Sequence, residues 1–188
     1  MEVVTGMTHG KRQRGDAPQR VLMIGCGRMG GALLTRWVGA GQYRFTVVSP
    51  SGTRRFPDTV RAVRGAKELD SDQFDLIVIA VKPQQIKDVI PAYVPFMDPH
   101  GSLLSLAAGF SAASLTDLLG PLPICRVMPN LPVAIGEGVS ALYADVQLTQ
   151  AHRRIIDALM KPPGTLLWGD AEDELDRVTA VAGSGPGY

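Results

Sequence analysis

Sulfur, imidazole and net charge are scarce in this 188-residue chain, and each shortage closes off a class of function. The two cysteines, Cys26 and Cys125, are too few for a disulfide framework and lack the neighbour spacing of a metal site. A reducing compartment, the cytoplasm, is therefore expected. Three histidines, His9, His100 and His152, are scattered among polar or turn-like neighbours, which leaves no basis for a metal centre or an imidazole relay. Acidic and basic residues nearly cancel to a net charge of +1, so the chain carries no electrostatic footprint for nucleic acid or an anionic membrane. The run Lys11-Arg12-Gln13-Arg14 is the local exception and reads as a solvated tail. No stretch reaches the roughly 18 consecutive apolar residues that suggest a membrane span. Residues 1–19 lack the apolar core of a signal peptide and are expected to form a disordered leader outside the fold.

What is present starts at residue 20. A short apolar strand over 20–25 runs straight into Gly25-x-Gly27-x-x-Gly30 and then into an amphipathic helix over 28–40. A glycine triplet alone says little, but a strand before it and a helix after it make a dinucleotide site. Gly25 allows the tight turn, Gly27 lets backbone approach a pyrophosphate, and Gly30 lets helix and strand pack closely. The helix start adds N–H donors and positive dipole, and Cys26, Arg28 and Met29 fill the remaining positions of the cradle.

The rest of the chain alternates. A β-branched strand at 45–48 is followed by a weakly patterned connection over 54–73, with a short helix or strand near 59–63. The continuous apolar run 76–81 suits a parallel strand buried on both faces. The stripe Ile86, Val89, Ile90, Tyr93 predicts a helix that Pro95 and Pro99 break. Strands are expected at 103–106, 124–128, 139–143 and 165–168, and helices at 111–119 and 149–160. A last helix should start near Ala171, with Glu172, Asp173 and Glu174 in its first turn. This is an α/β chain, a Rossmann-like, mostly parallel sheet with helices on both faces. Residues 20–170 form the dinucleotide-binding domain. Residues 171–188 read as the start of a truncated C-terminal helical domain, because Gly183-Ser184-Gly185-Pro186 introduces a helix that the sequence does not continue.

Four strand ends carry the chemistry. Where an acid after the second strand would bind the ribose 2′-hydroxyl of NAD, this chain has Ser49, Ser51, Arg54 and Arg55. Hydroxyls and guanidinium groups suit a 2′-phosphate, so NADP(H) is the expected cofactor, with NAD(H) as the alternative; an ordinary solvated turn is the simpler reading. Ala80, Val81, Lys82 and Pro83 end a central strand where open α/β sheets bind ligands, and Lys82 either lines the cleft or caps the strand in solvent. Ala107, Ala108 and Gly109 are small enough to admit a nicotinamide or ribose, or form a plain turn. Asn130, between Pro129 and Pro132, offers an amide to orient nicotinamide or substrate, or builds an Asx turn.

These segments, with Gly136-Glu137-Gly138 and Leu175-Asp176-x-Val178-Thr179-Ala180-x-x-Gly183-Ser184-Gly185-Pro186, resemble pyrroline-5-carboxylate reductase in order and spacing over residues 20–188. The resemblance implies hydride transfer from NAD(P)H to the C=N carbon of a small cyclic imine, 1-pyrroline-5-carboxylate, giving proline. It implies a C-terminal helical domain that dimerises, so that the full-length protein is a homodimer or larger homo-oligomer. Ser184 and Gly185 would bind the substrate carboxylate, and Asn130 would complete the catalytic set. The chain departs from the family at Leu131, Ala182 and Gly187, and its connection from Thr53 to Phe74 is short. A cofactor-binding module without catalysis and another NADP oxidoreductase with a similar Rossmann half are the competing expectations.

Overall fold

Apolar runs become strands where the faces of a sheet can be covered, and eight strands form among the described residues. The computed structural model describes residues 18–52, 55–175 and 177. In chain order the strands are β1 (Gln19–Ile24), β2 (Tyr43–Val48), β3 (Val60–Val63), β4 (Phe74–Ile79), β5 (Met97–Ser105), β6 (Ile124–Pro129), β7 (Gly138–Ala144) and β8 (Gly164–Gly169). The helices are α1 (Arg28–Gly39), α2 (Ile86–Val89), α3 (Ala112–Leu119) and α4 (Gln150–Met160). All strands form one sheet in the order β3-β2-β1-β4-β5-β6-β7-β8. Every pairing is parallel except β6 with β7. The Rossmann-like, mostly parallel architecture is thus the one expected.

Alternation along β1 shows how the layers are filled. Val21 and Met23 face a core with Leu33, Leu34 and Trp37 of α1 and with Ile156, Leu159 and Met160 of α4. Leu22 and Ile24 face a second core with Ile86 of α2 and Leu115 of α3. Trp37 is fully buried and stacks on Phe45, ring centroids 6.1 Å apart. Burial of one such side chain contributes about 1.5–3 kcal/mol, so these two layers carry the fold.

Two departures from the expected pattern have local causes, and one open alternative is settled. The predicted helix over the Ile86–Tyr93 stripe is instead α2 flanked by 3-10 turns at Pro83–Gln85, Ile90–Ala92 and Val94–Phe96. Pro91 lacks an N–H and interrupts the ladder earlier than Pro95 does. β5 begins at Met97, well before the expected residue 103, because Met97 pairs with Phe74 and the register then jumps so that Leu76 meets Ser102. Asp98 Oδ1 accepts from the His100 N–H at 2.9 Å within that irregularity. The segment near residues 59–63 is a strand, β3, at one open edge of the sheet.

α4 shows how a helix start is fixed. Thr149 Oγ1 accepts from the His152 N–H at 3.3 Å while His152 Nδ1 accepts from the Thr149 N–H at 3.2 Å, a reciprocal capping box. With Nδ1 accepting, the proton sits on Nε2, 3.1 Å from the His100 carbonyl. His152 is therefore a structural brace.

Candidate functional site

Parallel strands bring their carboxyl ends to one edge, and the backbone ties those ends together in steps. Gly25 N–H donates to Val48 O at 3.2 Å, Ala80 N–H to Ile24 O at 2.9 Å, and Leu106 N–H to Ile79 O at 2.9 Å. The loops after β1, β2, β4 and β5 are thereby locked side by side. Between them lies a cleft of about 280 Å³ lined by Gly25, Cys26, Gly27, Val48, Pro50, Ala80, Val81, Lys82, Gln85, Val89 and Tyr93.

The three glycines differ in their surroundings. Gly25 has φ +84°, and a Cβ there would meet Val81 Cγ1 at 2.8 Å and Ala80 O at 2.9 Å. A Cβ on Gly30 would meet Met23 Cε at 2.5 Å and Ala80 Cβ at 3.2 Å, so the helix lies tight on the sheet. A Cβ on Gly27 would meet nothing within 4 Å. It is the N-cap of α1, makes no side-chain cap, and no acid occupies the first turn. Backbone donors beside open space, without a carboxylate to compete, fit a diphosphate.

Cys26, Gly27, Ala80, Val81 and Lys82 all border the cleft, with Lys82 exposed at its mouth. Arg28 is exposed and Met29 half-buried in the first turn of α1. Pro83 opens the 3-10 turn that follows Lys82. Ser49 sits at the end of β2, its N–H donating to Val63 O at 2.8 Å, and the turn through Ser51 closes with Gly52 N–H on Ser49 O at 3.0 Å. Arg55 does not line the cleft. It borders a smaller cavity of about 110 Å³ against α1, with Gly31, Leu34 and Thr35, because Phe56 and Pro57 carry the chain along that helix. Arg54, Ser184 and Gly185 lie outside the described residues.

Ala107 is buried and is held from two sides, its N–H on Ser105 Oγ at 3.3 Å and its carbonyl on Arg126 Nη2 at 3.3 Å. Ala108 and Gly109 are exposed, Gly109 with φ +72°. Asn130 is committed in part: its Oδ1 accepts from Val139 N–H at 2.9 Å and its own N–H donates to Val139 O at 3.2 Å. The side-chain oxygen braces the turn between β6 and β7, which leaves the amide nitrogen for a ligand.

Several site residues escape a reading by sequence. Tyr93 and Val89 show there only as an apolar stripe, yet the fold carries them to the cleft. Burial pushes the Tyr93 hydroxyl up, partly offset by a hydrogen bond with the Ala66 backbone. Arg126, buried on β6, pairs with Glu172 at 2.7 Å, and the same Glu172 oxygen accepts from Ala112 N–H at 2.7 Å at the start of α3. Arg126 Nε has no partner among the described residues. Two cationic and carboxylate residues 46 positions apart carry no local signal of this contact. Among the described residues, no group of three or more His, Cys, Asp or Glu could hold a metal ion, and no helix is long and apolar enough to cross a membrane.

Comparison with known proteins agrees with this geometry. Residues 20–109 match the family model described as NADP oxidoreductase coenzyme F420-dependent. Pyrroline-5-carboxylate reductase of Pseudomonas aeruginosa is 37% identical over 90% of this chain and 64% of its own length. The Glycine max enzyme of the same name is 32% identical over 86% of this chain and 63% of its own length. The crystal structure of Plasmodium falciparum pyrroline carboxylate reductase with NADP bound superimposes with a TM-score of 0.77, at 25% identity, covering 90% of this chain and 64% of that one. The chain thus spans a little under two thirds of these relatives. Over that span, and with its glycine cradle and strand ends in the same order, it is similar to the pyrroline-5-carboxylate reductases.

Proposed function

We propose that the chain is the dinucleotide-binding part of an NADPH-dependent reductase that converts 1-pyrroline-5-carboxylate to L-proline. The observation that carries this is the open, acid-free helix start at Gly27 facing the cleft between Gly25 and Lys82. A bound reduced nicotinamide supplies the hydride; the protein's part is to hold and orient. Backbone donors of Gly27 and the first turn of α1 take the pyrophosphate. Ser49 and Ser51 serve the adenosine side, to which the sequence also assigns Arg54 and Arg55, although Arg55 lies against α1 rather than in the cleft, and Ala107, Ala108 and Gly109 leave room for the nicotinamide side. The Asn130 amide, with Ser184 and Gly185, orients the imine and its carboxylate. No side chain of this set is a proton donor of obvious strength, so the imine enters already protonated or draws its proton from solvent or from a residue outside this set. The protein acts in the cytoplasm as a homodimer or larger homo-oligomer.

The experiment pairs binding with turnover. NADPH is titrated against the protein, and proline formation from pyrroline-5-carboxylate is then followed with NADPH consumption. Expected are saturable NADPH binding and proline formation in step with NADPH loss. Failure to bind either dinucleotide would overturn the reading, whereas binding without proline formation would favour a non-catalytic cofactor module.

A further inference from the structure

We infer that Arg64 is a specificity-determining residue that clamps the cofactor's 2′-phosphate; this deepens the cofactor reading above and rests on it. Arg64 follows β3, the strand outside β2, and Val48 pairs in register with Val63. The two strands run parallel, so Ser49 and Arg64 emerge side by side at the carboxyl edge, and the Ser49 N–H on Val63 O adds one more rung at 2.8 Å. In sheets of this topology the residue at the end of β2 reads the ribose 2′ substituent.

The Arg64 side chain turns toward that position. Its guanidinium lies over Gly52: a Cβ on Gly52 would stand 3.5 Å from Nε, 3.7 Å from Nη2 and 3.9 Å from Cζ. Gly52 has φ +61° and closes the Ser49–Gly52 turn, so the planar fork rests on bare backbone beside the Ser49 and Ser51 positions. Arg64 is exposed, and among the described residues its guanidinium has no carboxylate within ion-pair distance. The nearby Glu68 carboxylate is engaged by the Arg64 backbone N–H at 3.2 Å. Arg61, three residues earlier, is taken up by Asp72 and the Glu68 carbonyl. One guanidinium at this corner is spent on structure and the other is aimed at the turn. A planar cation with paired donors beside two hydroxyls has the chemistry to hold a phosphate monoester in bidentate fashion. Arg55, lying against α1, contributes from the opposite side of the same loop at most.

The test uses the 188-residue chain and equilibrium titrations with NADPH, NADH and adenosine 2′,5′-bisphosphate. Arg64→Ala is expected to weaken NADPH and the bisphosphate by roughly tenfold or more and to leave NADH within about twofold, since only the charged contact is lost. Arg64→Lys should recover part of the loss, because the charge returns without the fork. Arg61→Ala is the control and should leave all three ligands unchanged. NADPH affinity of Arg64→Ala within twofold of the parent would overturn the assignment, as would an equal loss for NADH, which would mark a merely structural role. If the parent chain binds neither dinucleotide, the cofactor reading itself falls and this proposal with it; binding of both with no effect at Arg64 overturns this proposal alone.

Discussion

A methyl group added at Gly25 and one added at Gly27 meet opposite surroundings, and that difference separates folding from binding at the scale of one residue. Gly25 is left-handed and walled by Val81 and Ala80, so Gly25→Ala should cost about 1–3 kcal/mol in backbone strain before the overlap is counted. Gly27 opens on empty space at the N-cap, so Gly27→Ala should change stability by no more than about 1 kcal/mol. The same methyl group would occupy the ground proposed for the pyrophosphate, and NADPH affinity should fall roughly tenfold, a loss of about 1.4 kcal/mol. Thermal unfolding and NADPH titration of the two variants check this; a Gly27→Ala protein that binds like the parent removes Gly27 from the cradle. These glycine roles were legible in sequence because turn, cap and packing are set within six neighbouring positions. Arg64 was not, since its place at the cofactor corner comes from strand pairing between β2 and β3.

At the scale of elements, the chain leaving β8 is fastened back to the sheet by one carboxylate. Glu172 neutralises Arg126 on β6 and caps the first amide of α3, while Arg126 also holds the Ala107 carbonyl at the end of β5. Glu172→Ala would leave a guanidinium that is 4% exposed without its counter-charge. Breaking such a pair should destabilise the protein by about 3 kcal/mol, the low end for buried pairs because the Glu172 side chain is 25% exposed. The double variant Arg126→Met, Glu172→Leu should recover most of that loss. Urea unfolding of both reads the outcome; equal destabilisation by the single and double variants would show that the charge itself is not the cause. Strand and helix order was legible because the apolar runs are long. The broken helix around α2 was misread because Pro91 sits inside an otherwise regular stripe, and the early start of β5 was hidden because its first rung depends on Phe74.

For the whole molecule, the mostly parallel sheet followed from alternation of strands and helices, whereas the antiparallel β6–β7 pair depends on the turn that Asn130 braces. The sheet also buries groups whose ionisation opposes folding. Burial pushes up the Cys125 thiol and the Tyr43 and Tyr93 hydroxyls from ordinary values of 9.0 and 10.0. Each is held neutral in the fold and releases its proton more readily when unfolded. Their contribution is therefore complete below about pH 9 and is lost as pH rises above that toward the folded-state values. Thermal midpoints measured from neutral pH to pH 11 should fall on the alkaline side; a flat profile would show that these groups are not sequestered. Cys125 is fully enclosed beneath α4, while Cys26 is half-buried on the rim of the cleft. A thiol reagent therefore meets two very different targets in one chain. Slower labelling of the rim thiol when the cleft is filled, set against an inner thiol that stays silent, would report cofactor occupancy through the chain's own chemistry.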